Sequence, residues 1–155
     1  MVITYYGEGA GKSSAAMGHA LRYASQGKTV YVIRFLKEQI VSDYLQRLEP
    51  ELKIFRFERL AVSFDDMTED ERTEEKKNIL NGINYAHKVL GTGECDLLVL
   101  DEVLGAVCEG VLPEDDLLDA LKQRASGTDV ILTGREITAG VADVSDQILE
   151  IQKVK

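Results

Sequence analysis

The chain has 155 residues, of which 45% are hydrophobic and 29% charged, and its formal net charge is -9. Those values belong to a globular chain long enough to bury a core, and they exclude wholesale disorder. So acidic a balance argues against a grip on nucleic acid, which needs clustered Lys and Arg, and no apolar run reaches the roughly 18 residues of a membrane span.

Val2 to Tyr6 reads as a short apolar strand. It starts without the basic, apolar and small-residue regions of a signal peptide. Cys95 and Cys108 fit neither a CxxC pair nor a zinc spacing. Both lie in apolar surroundings and are expected as reduced thiols in or near the core, which points to a cytoplasmic location. The glycine-rich run GEGAGKSS, Gly7 to Ser14, comes next. Lys12 to Gln26 is predicted as a helix, with Met17, Ala20, Leu21 and Ala24 on one stripe and Gly27 where a terminating glycine belongs. Lys28 to Leu36 reads as a buried strand, Ser42 as the cap of a short helix ending before Pro50, and Leu52 to Phe57 as a third strand.

The acidic stretch Asp65 to Glu75 reads as the solvated start of a helix, because Thr68 and Glu71 have capping-box spacing and early carboxylates favour the positive helix end. Ile79, Ile83, Ala86 and Leu90 then form one apolar stripe. Asp96 to Leu100 is a near-continuous apolar run, as in a central parallel strand. A helix over Glu114 to Arg124 follows Pro113, then a strand over Asp129 to Thr133, a short helix over Ile137 to Val144 and a last strand over Gln147 to Ile151. No repeat or linker interrupts the sequence, so residues 1–155 are expected as a single α/β domain with a parallel sheet.

Gly7 to Ser14 carries the chemistry. It follows a strand and opens a helix, the context a phosphate-binding P-loop requires. Backbone N–H groups must converge on phosphate oxygens, and glycine permits the tight path. Gly7, Glu8, Gly9, Ala10, Gly11, Lys12, Ser13 and Ser14 are therefore the expected ATP-binding residues. Lys12 supplies a positive charge to the phosphates, and the Ser13 hydroxyl is placed to ligand Mg²⁺. The usual GxxxxGK[ST] spacing would need glycine at position 6, where this chain has Tyr6, so the loop is one residue shorter.

Asp101 and Glu102 end a buried strand at its C-terminal edge, where open α/β sheets bind ligands. Asp101 is the expected partner of Ser13 and Mg²⁺. Glu102 is expected to face the reaction space as a second metal-side or catalytic carboxylate, the alternative being a plain helix-start charge. Arg135, closing the TGR run from Thr133, reaches the same edge and suits clamping of a phosphate or a carboxylate; a surface arginine is the alternative. His19 and His87 are lone helix histidines without a ligand partner at metal spacing.

With these features the sequence resembles the P-loop type of ATP:corrinoid adenosyltransferases. The resemblance rests on the short loop Gly7, Gly9, Gly11, Lys12, Ser13 and Ser14. It rests also on RFLK at Arg34 to Lys37, VLDE at Val99 to Glu102, Leu112 with Pro113, TGR at Thr133 to Arg135, and Ala142 with Asp143. It implies a P-loop NTPase-like (RecA-like) three-layer sandwich with a mostly parallel sheet of about six strands. It also implies transfer of the 5′-deoxyadenosyl group of ATP to the Co(I) of a corrinoid, with triphosphate leaving, Mg²⁺ as cofactor, and a nucleotide reversed relative to other P-loop proteins. On this reading Lys12, Glu102 and Arg135 serve catalysis and Phe64 contacts the corrinoid, though Phe64 fits a core aromatic equally well. The family implies a homodimer, and the reading leaves room for a reductase or corrinoid-delivering partner. The sequence is expected to depart from the family in four places: Asp66 stands where a tryptophan is usual and the chain has none, Arg34 replaces a glutamine, an N-terminal extension that closes over the site has no counterpart ahead of the first strand, and the usual C-terminal tail is short. A P-loop ATPase or kinase acting at the γ-phosphate and a non-catalytic ATP-binding relative are the alternatives.

Overall fold

Short apolar segments become strands, and the residues between them supply the crossovers that parallel strands need. The computed structural model describes residues 1–35, 47–57 and 66–155. In chain order the elements are β1 (Val2–Tyr6), α1 (Lys12–Ala24), β2 (Val30–Arg34), β3 (Leu52–Arg56), α2 (Glu69–Thr92), β4 (Leu97–Asp101), α3 (Val103–Cys108), α4 (Glu114–Lys122), β5 (Asp129–Thr133), α5 (Ala139–Val144) and β6 (Gln147–Glu150). Among the described residues the strands form one six-stranded sheet in the order β3-β2-β4-β5-β1-β6. Every pairing is parallel. The mostly parallel sheet expected from the sequence is therefore fully parallel in these residues.

The period-2 alternation of a strand divides the core between the two faces. Leu98 and Leu100 of β4 join Ile33, Val130 and Leu132 under α2, α3, α4 and α5. Leu97 and Val99 join Ile3, Tyr5, Val32 and Ile131 under α1. That two-sided burial is why Asp96 to Leu100 reads as an unbroken apolar run, and it makes the fold a three-layer sandwich. On α1 the fully buried residues are Ala16 and Ala20, small enough to let the helix lie close on the sheet.

Local signals in the sequence act as expected at several ends. Thr68 and Glu71 form a reciprocal capping box: the Thr68 hydroxyl accepts from the Glu71 N–H, and the Glu71 carboxylate accepts from the Thr68 N–H at 2.8 Å. The stripe Ile79, Ile83, Ala86 and Leu90 is buried. Gly27 adopts a left-handed φ of 73°, but α1 stops at Ala24, two residues short of the expected end. Thr138 caps α5 by accepting from the Val141 N–H, so that helix begins at Ala139, not Ile137. β1 and β5 keep their expected bounds, β4 is shifted by one residue, β3 and β6 each end one residue early, and β2 is confined to Val30–Arg34 within the longer run expected from Lys28.

Two expectations are corrected. Glu75, read as part of a solvated charge run, is buried on α2, where Asn78 donates to it at 3.4 Å. Cys108, read as a core thiol, is exposed at the C-terminal end of α3, whereas Cys95 is buried as expected. Helix α3 starts directly after Glu102, which stands at its N-cap, as the alternative reading of Glu102 as a helix-start charge has it. The short helix expected from Ser42 lies outside the described residues. No helix among the described residues is long and apolar enough to cross a membrane.

Leu98 has no exposed surface at the centre of the sheet. Leu98→Ala is expected to cost about 2–5 kcal/mol through lost burial and the cavity left behind. Denaturant unfolding monitored by circular dichroism checks this, and a loss under about 1 kcal/mol would contradict the core assignment.

Candidate active site

Strand β1 runs through Tyr6, which pairs with Glu150 of β6, so the chain leaves the sheet at Gly7. This is the structural meaning of the missing glycine: Tyr6 is strand, and its carbonyl accepts from the Ile151 N–H at 2.7 Å. The loop then passes against the residues that follow β6. The Gly9 N–H donates to the Ile151 carbonyl at 2.8 Å, and the Gly7 N–H donates to the Arg135 carbonyl at 2.9 Å. A Cβ on Gly7 would lie 2.5 Å from the Ile151 carbonyl oxygen, and one on Gly9 would lie 2.7 Å from it. These two glycines are thus dictated by a neighbouring backbone as much as by a ligand. Gly7 also has a φ of 115°, which side chains other than hydrogen rarely tolerate.

Helix α1 begins at Lys12, so the N–H groups of its first turn point out of the helix end at the C-terminal edge of the sheet. The Lys12 ammonium folds back across the loop and donates to the carbonyls of Gly7 at 2.6 Å and Gly9 at 2.8 Å. Glu8 to Ser14 line a cleft of about 820 Å³ whose other walls come from Glu102, Gly105, Cys108, Glu109, Arg135 and Glu136. Loop, carboxylate and arginine, read separately in the sequence, therefore share one cavity. Asp101 lies beneath it at 2% exposure.

The ends of β4 and β5 are joined through one hydroxyl. Thr133 Oγ1 donates to Asp101 Oδ1 and accepts from the Glu102 N–H, both at 2.8 Å. Glu102 follows with a φ of 64°, the one non-glycine residue with positive φ among those described, and stands at the N-cap of α3. A side chain in that region costs of order 1–3 kcal/mol and persists only where its surroundings enforce it. Here the bond to Thr133 and the fully buried Val103 that follows enforce it. The other oxygen of Asp101, Oδ2, stands 3.8 Å from the Arg34 Nε. No local pattern announces this pair, because Arg34 and Asp101 are register partners on adjacent strands far apart in the chain. Thr133 is a further functional residue of the TGR run, and its role depends on partners more than thirty residues away in the chain.

The cleft is rich in carboxylates: Glu8, Glu102, Glu109 and Glu136 stand against Lys12 and Arg135. Burial, with the neighbouring Glu136, Glu114 and Glu109, holds the Cys108 thiol above its ordinary pKa, so it is a neutral thiol at pH 7. Among the described residues no group of three or more His, Cys, Asp or Glu is placed to hold a metal ion. The donors expected on the metal side are oxygens: the Ser13 hydroxyl and the carboxylates of Asp101 and Glu102. Such a hard set fits Mg²⁺, provided nucleotide phosphates and water complete its shell. The histidines lie elsewhere. His19 is bonded to the Tyr5 hydroxyl at 3.0 Å, and burial and Arg22 lower its pKa. His87 lines a smaller cleft with Asn84, Asp116 and Asp119. Phe64 lies outside the described residues.

Two substitutions test the geometry. Gly9→Ala meets backbone that cannot step aside, so ATP affinity in a calorimetric titration is expected to fall at least about tenfold, or ~1.4 kcal/mol. Glu102→Gly relieves the left-handed backbone, which offsets glycine's extra unfolded-state entropy. Its unfolding midpoint is expected at or near the wild-type value while Mg²⁺-dependent ATP binding weakens. A large loss of stability would show that the conformation is not strained.

Comparison with known proteins places this geometry. The family model described as ATP:corrinoid adenosyltransferase BtuR/CobO/CobP matches residues 1–155. The corrinoid adenosyltransferase CobA of Salmonella typhimurium (strain LT2) is 30% identical over 155 residues, which span 100% of this chain and 78% of that protein. The corrinoid adenosyltransferase of Escherichia coli (strain K12) is 28% identical over 155 residues with the same coverage, 100% and 78%. Among solved structures, the KaiC-like protein PH0186 from Pyrococcus horikoshii OT3 superposes with a TM-score of 0.62 at 16% identity, covering 99% of this chain and 74% of that one. That likeness shows the fold alone, and it agrees with the RecA-like expectation.

Proposed function

The chain belongs to the family of ATP:corrinoid adenosyltransferases, and on that premise we propose that it transfers the 5′-deoxyadenosyl group of ATP to the reduced cobalt of a corrinoid, releasing triphosphate. The observation that carries this reading is the single cleft in which the phosphate loop, Glu102 and Arg135 meet. In the reaction the Co(I) of the substrate attacks the 5′ carbon. A cobalt–carbon bond forms from the metal's electron pair, the 5′ carbon–oxygen bond breaks, and its pair leaves on triphosphate. The protein then has no side-chain nucleophile to supply. Its task is to hold a highly charged leaving group and to aim the 5′ carbon outward, with the nucleotide reversed relative to other P-loop proteins.

The N–H groups at the start of α1, the Lys12 ammonium and the Arg135 guanidinium are the groups suited to the leaving triphosphate. Lys12 would exchange the carbonyls of Gly7 and Gly9 for phosphate oxygens, a move within the reach of its flexible stem. Ser13, Asp101 and Glu102 would hold Mg²⁺, which supplies Lewis-acid charge neutralisation when bound. The carboxylate excess of the cleft supports a requirement for such a cation, since bare triphosphate would be repelled. Residues 1–155 would act as one nucleotide-binding unit, a reading supported by a sheet whose strands run from Val2 to Glu150. Co(I) must be generated by a one-electron reductant, so a reductase or corrinoid-delivering partner fits the chemistry. A cytoplasmic location fits free Cys95 and Cys108.

Incubation with ATP, Mg²⁺ and chemically reduced cobalamin is expected to give a light-sensitive adenosyl–cobalt product and one triphosphate per turnover, read by phosphorus NMR. ADP with phosphate would overturn the proposal in favour of chemistry at the γ-phosphate. Lys12→Ala is expected to lower ATP affinity at least about tenfold, ~1.4 kcal/mol; unchanged affinity would remove the loop from the site.

A further inference from the structure

Arg34 ends β2 directly beside Asp101, the last residue of β4 and its register partner. Its side chain is 14% exposed and that of Asp101 2%. The Nε approaches Asp101 Oδ2 at 3.8 Å, an ion-pair distance too long for a hydrogen bond. That same Nε is buried without a hydrogen-bond partner among the described residues. A buried guanidinium nitrogen left unbonded is costly unless charge compensation offsets it. The other carboxylate oxygen is tied to the Thr133 hydroxyl at 2.8 Å. The Phe35 N–H, one residue beyond Arg34, donates to the Asp101 main-chain carbonyl at 2.9 Å, so the two strand ends are locked in register. Asp101 is therefore held from both sides, at Oδ1 by a hydroxyl and at Oδ2 by a positive charge. Arg34 does not line the cleft.

We propose that Arg34 is a positioning residue that sets how tightly the nucleotide site holds its divalent cation, acting through Asp101. The proposal rests on the reading of Ser13, Asp101 and Glu102 as the metal side of the ATP site. With its negative charge offset by Arg34 and its rotamer fixed by Thr133, Asp101 lends the cation little net attraction. The cation is then bound chiefly by the phosphates, with Ser13 and Glu102. It arrives with ATP and departs with triphosphate, and does not stay behind as a resident ion. The consequence is directional: removing the positive charge strengthens metal binding, an outcome that simple structural damage does not produce.

The test is a Mn²⁺ titration followed by electron paramagnetic resonance, with and without ATP, on the folded protein. In Arg34→Gln and in Arg34→Met, which keeps an apolar stem, the half-saturating Mn²⁺ concentration is expected to fall about tenfold, whereas Arg34→Lys stays within about twofold of wild type. In an Asp101→Asn background the gain from Arg34→Gln is expected to shrink to about threefold or less, because the effect runs through that carboxylate. An unchanged or higher midpoint in both neutral variants would overturn the inference. A full tenfold gain in the Asp101→Asn background would overturn the route through Asp101. If the wild-type protein binds ATP but shows no Mn²⁺ bound with it, the metal-side reading falls, and this inference with it.

Discussion

The placement of the phosphate loop depends on one backbone contact, the carbonyl of Ile151 lying against Gly7 and Gly9. Strand β1 sits between β5 and β6, so its exit is flanked on both sides. On the β5 side the Arg135 carbonyl takes the Gly7 N–H, and on the β6 side the Ile151 carbonyl takes the Gly9 N–H. The loop is thus sewn to both neighbours before any ligand arrives. This is preorganisation in a concrete sense: the conformational entropy of the loop is lost on folding and need not be lost again on binding. It also couples the start of the sequence to its end, because a displacement of the residues after β6 shifts the loop directly.

A parallel sheet brings the C-terminal ends of β1, β4 and β5 to one edge, and each contributes a different chemical group. Strand β1 delivers the loop, β4 delivers Asp101 and Glu102, and β5 delivers Thr133 and then Arg135. Thr133 is what makes these ends a unit. Its hydroxyl has one proton to give and lone pairs to accept with, and it uses both, on Asp101 and on the Glu102 N–H. Without it the left-handed turn at Glu102 would lack its main hydrogen bond, and Asp101 would lose the partner that orients its carboxylate.

How much of this the sequence revealed follows from the range of the interactions. The apolar runs, the Thr68–Glu71 capping box and the loop at Gly7 to Ser14 are local signals, and each appears in the structure where the residues placed it. The position of Asp101, Glu102 and Arg135 at one edge was legible too, because parallel strand ends converge by topology. What stayed hidden depends on residues distant in sequence. The Arg34–Asp101 pair exists because β2 and β4 are neighbours in space, and nothing in RFLK or VLDE says so. Cys108 sits in an apolar stretch yet ends up exposed on the cleft wall, because the short helix α3 turns its last residue outward. Glu75 lies in a charge run yet is buried, because α2 continues far enough to carry it onto the packed face.

The charge pattern of the cleft distinguishes a site that must release triphosphate from one that must hold it. A cleft lined by cations would bind the product more tightly than the substrate, since triphosphate gains negative charge when the 5′ bond breaks. Among the described residues, four carboxylates face two cations along the walls, and a third cation, Arg34, stands against Asp101 beneath them. On the proposed reading, groups that travel or swing would add to the stabilisation that the α1 N–H groups and Arg135 give the leaving group. A divalent cation would accompany the phosphates on that reading, and the Lys12 ammonium has the carbonyls of Gly7 and Gly9 to return to. Fixed positive charge would lower the barrier to bond breaking but would also trap the product. On the proposed reading, mobile charge between acidic walls would lower the same barrier and leave repulsion behind to favour release of triphosphate.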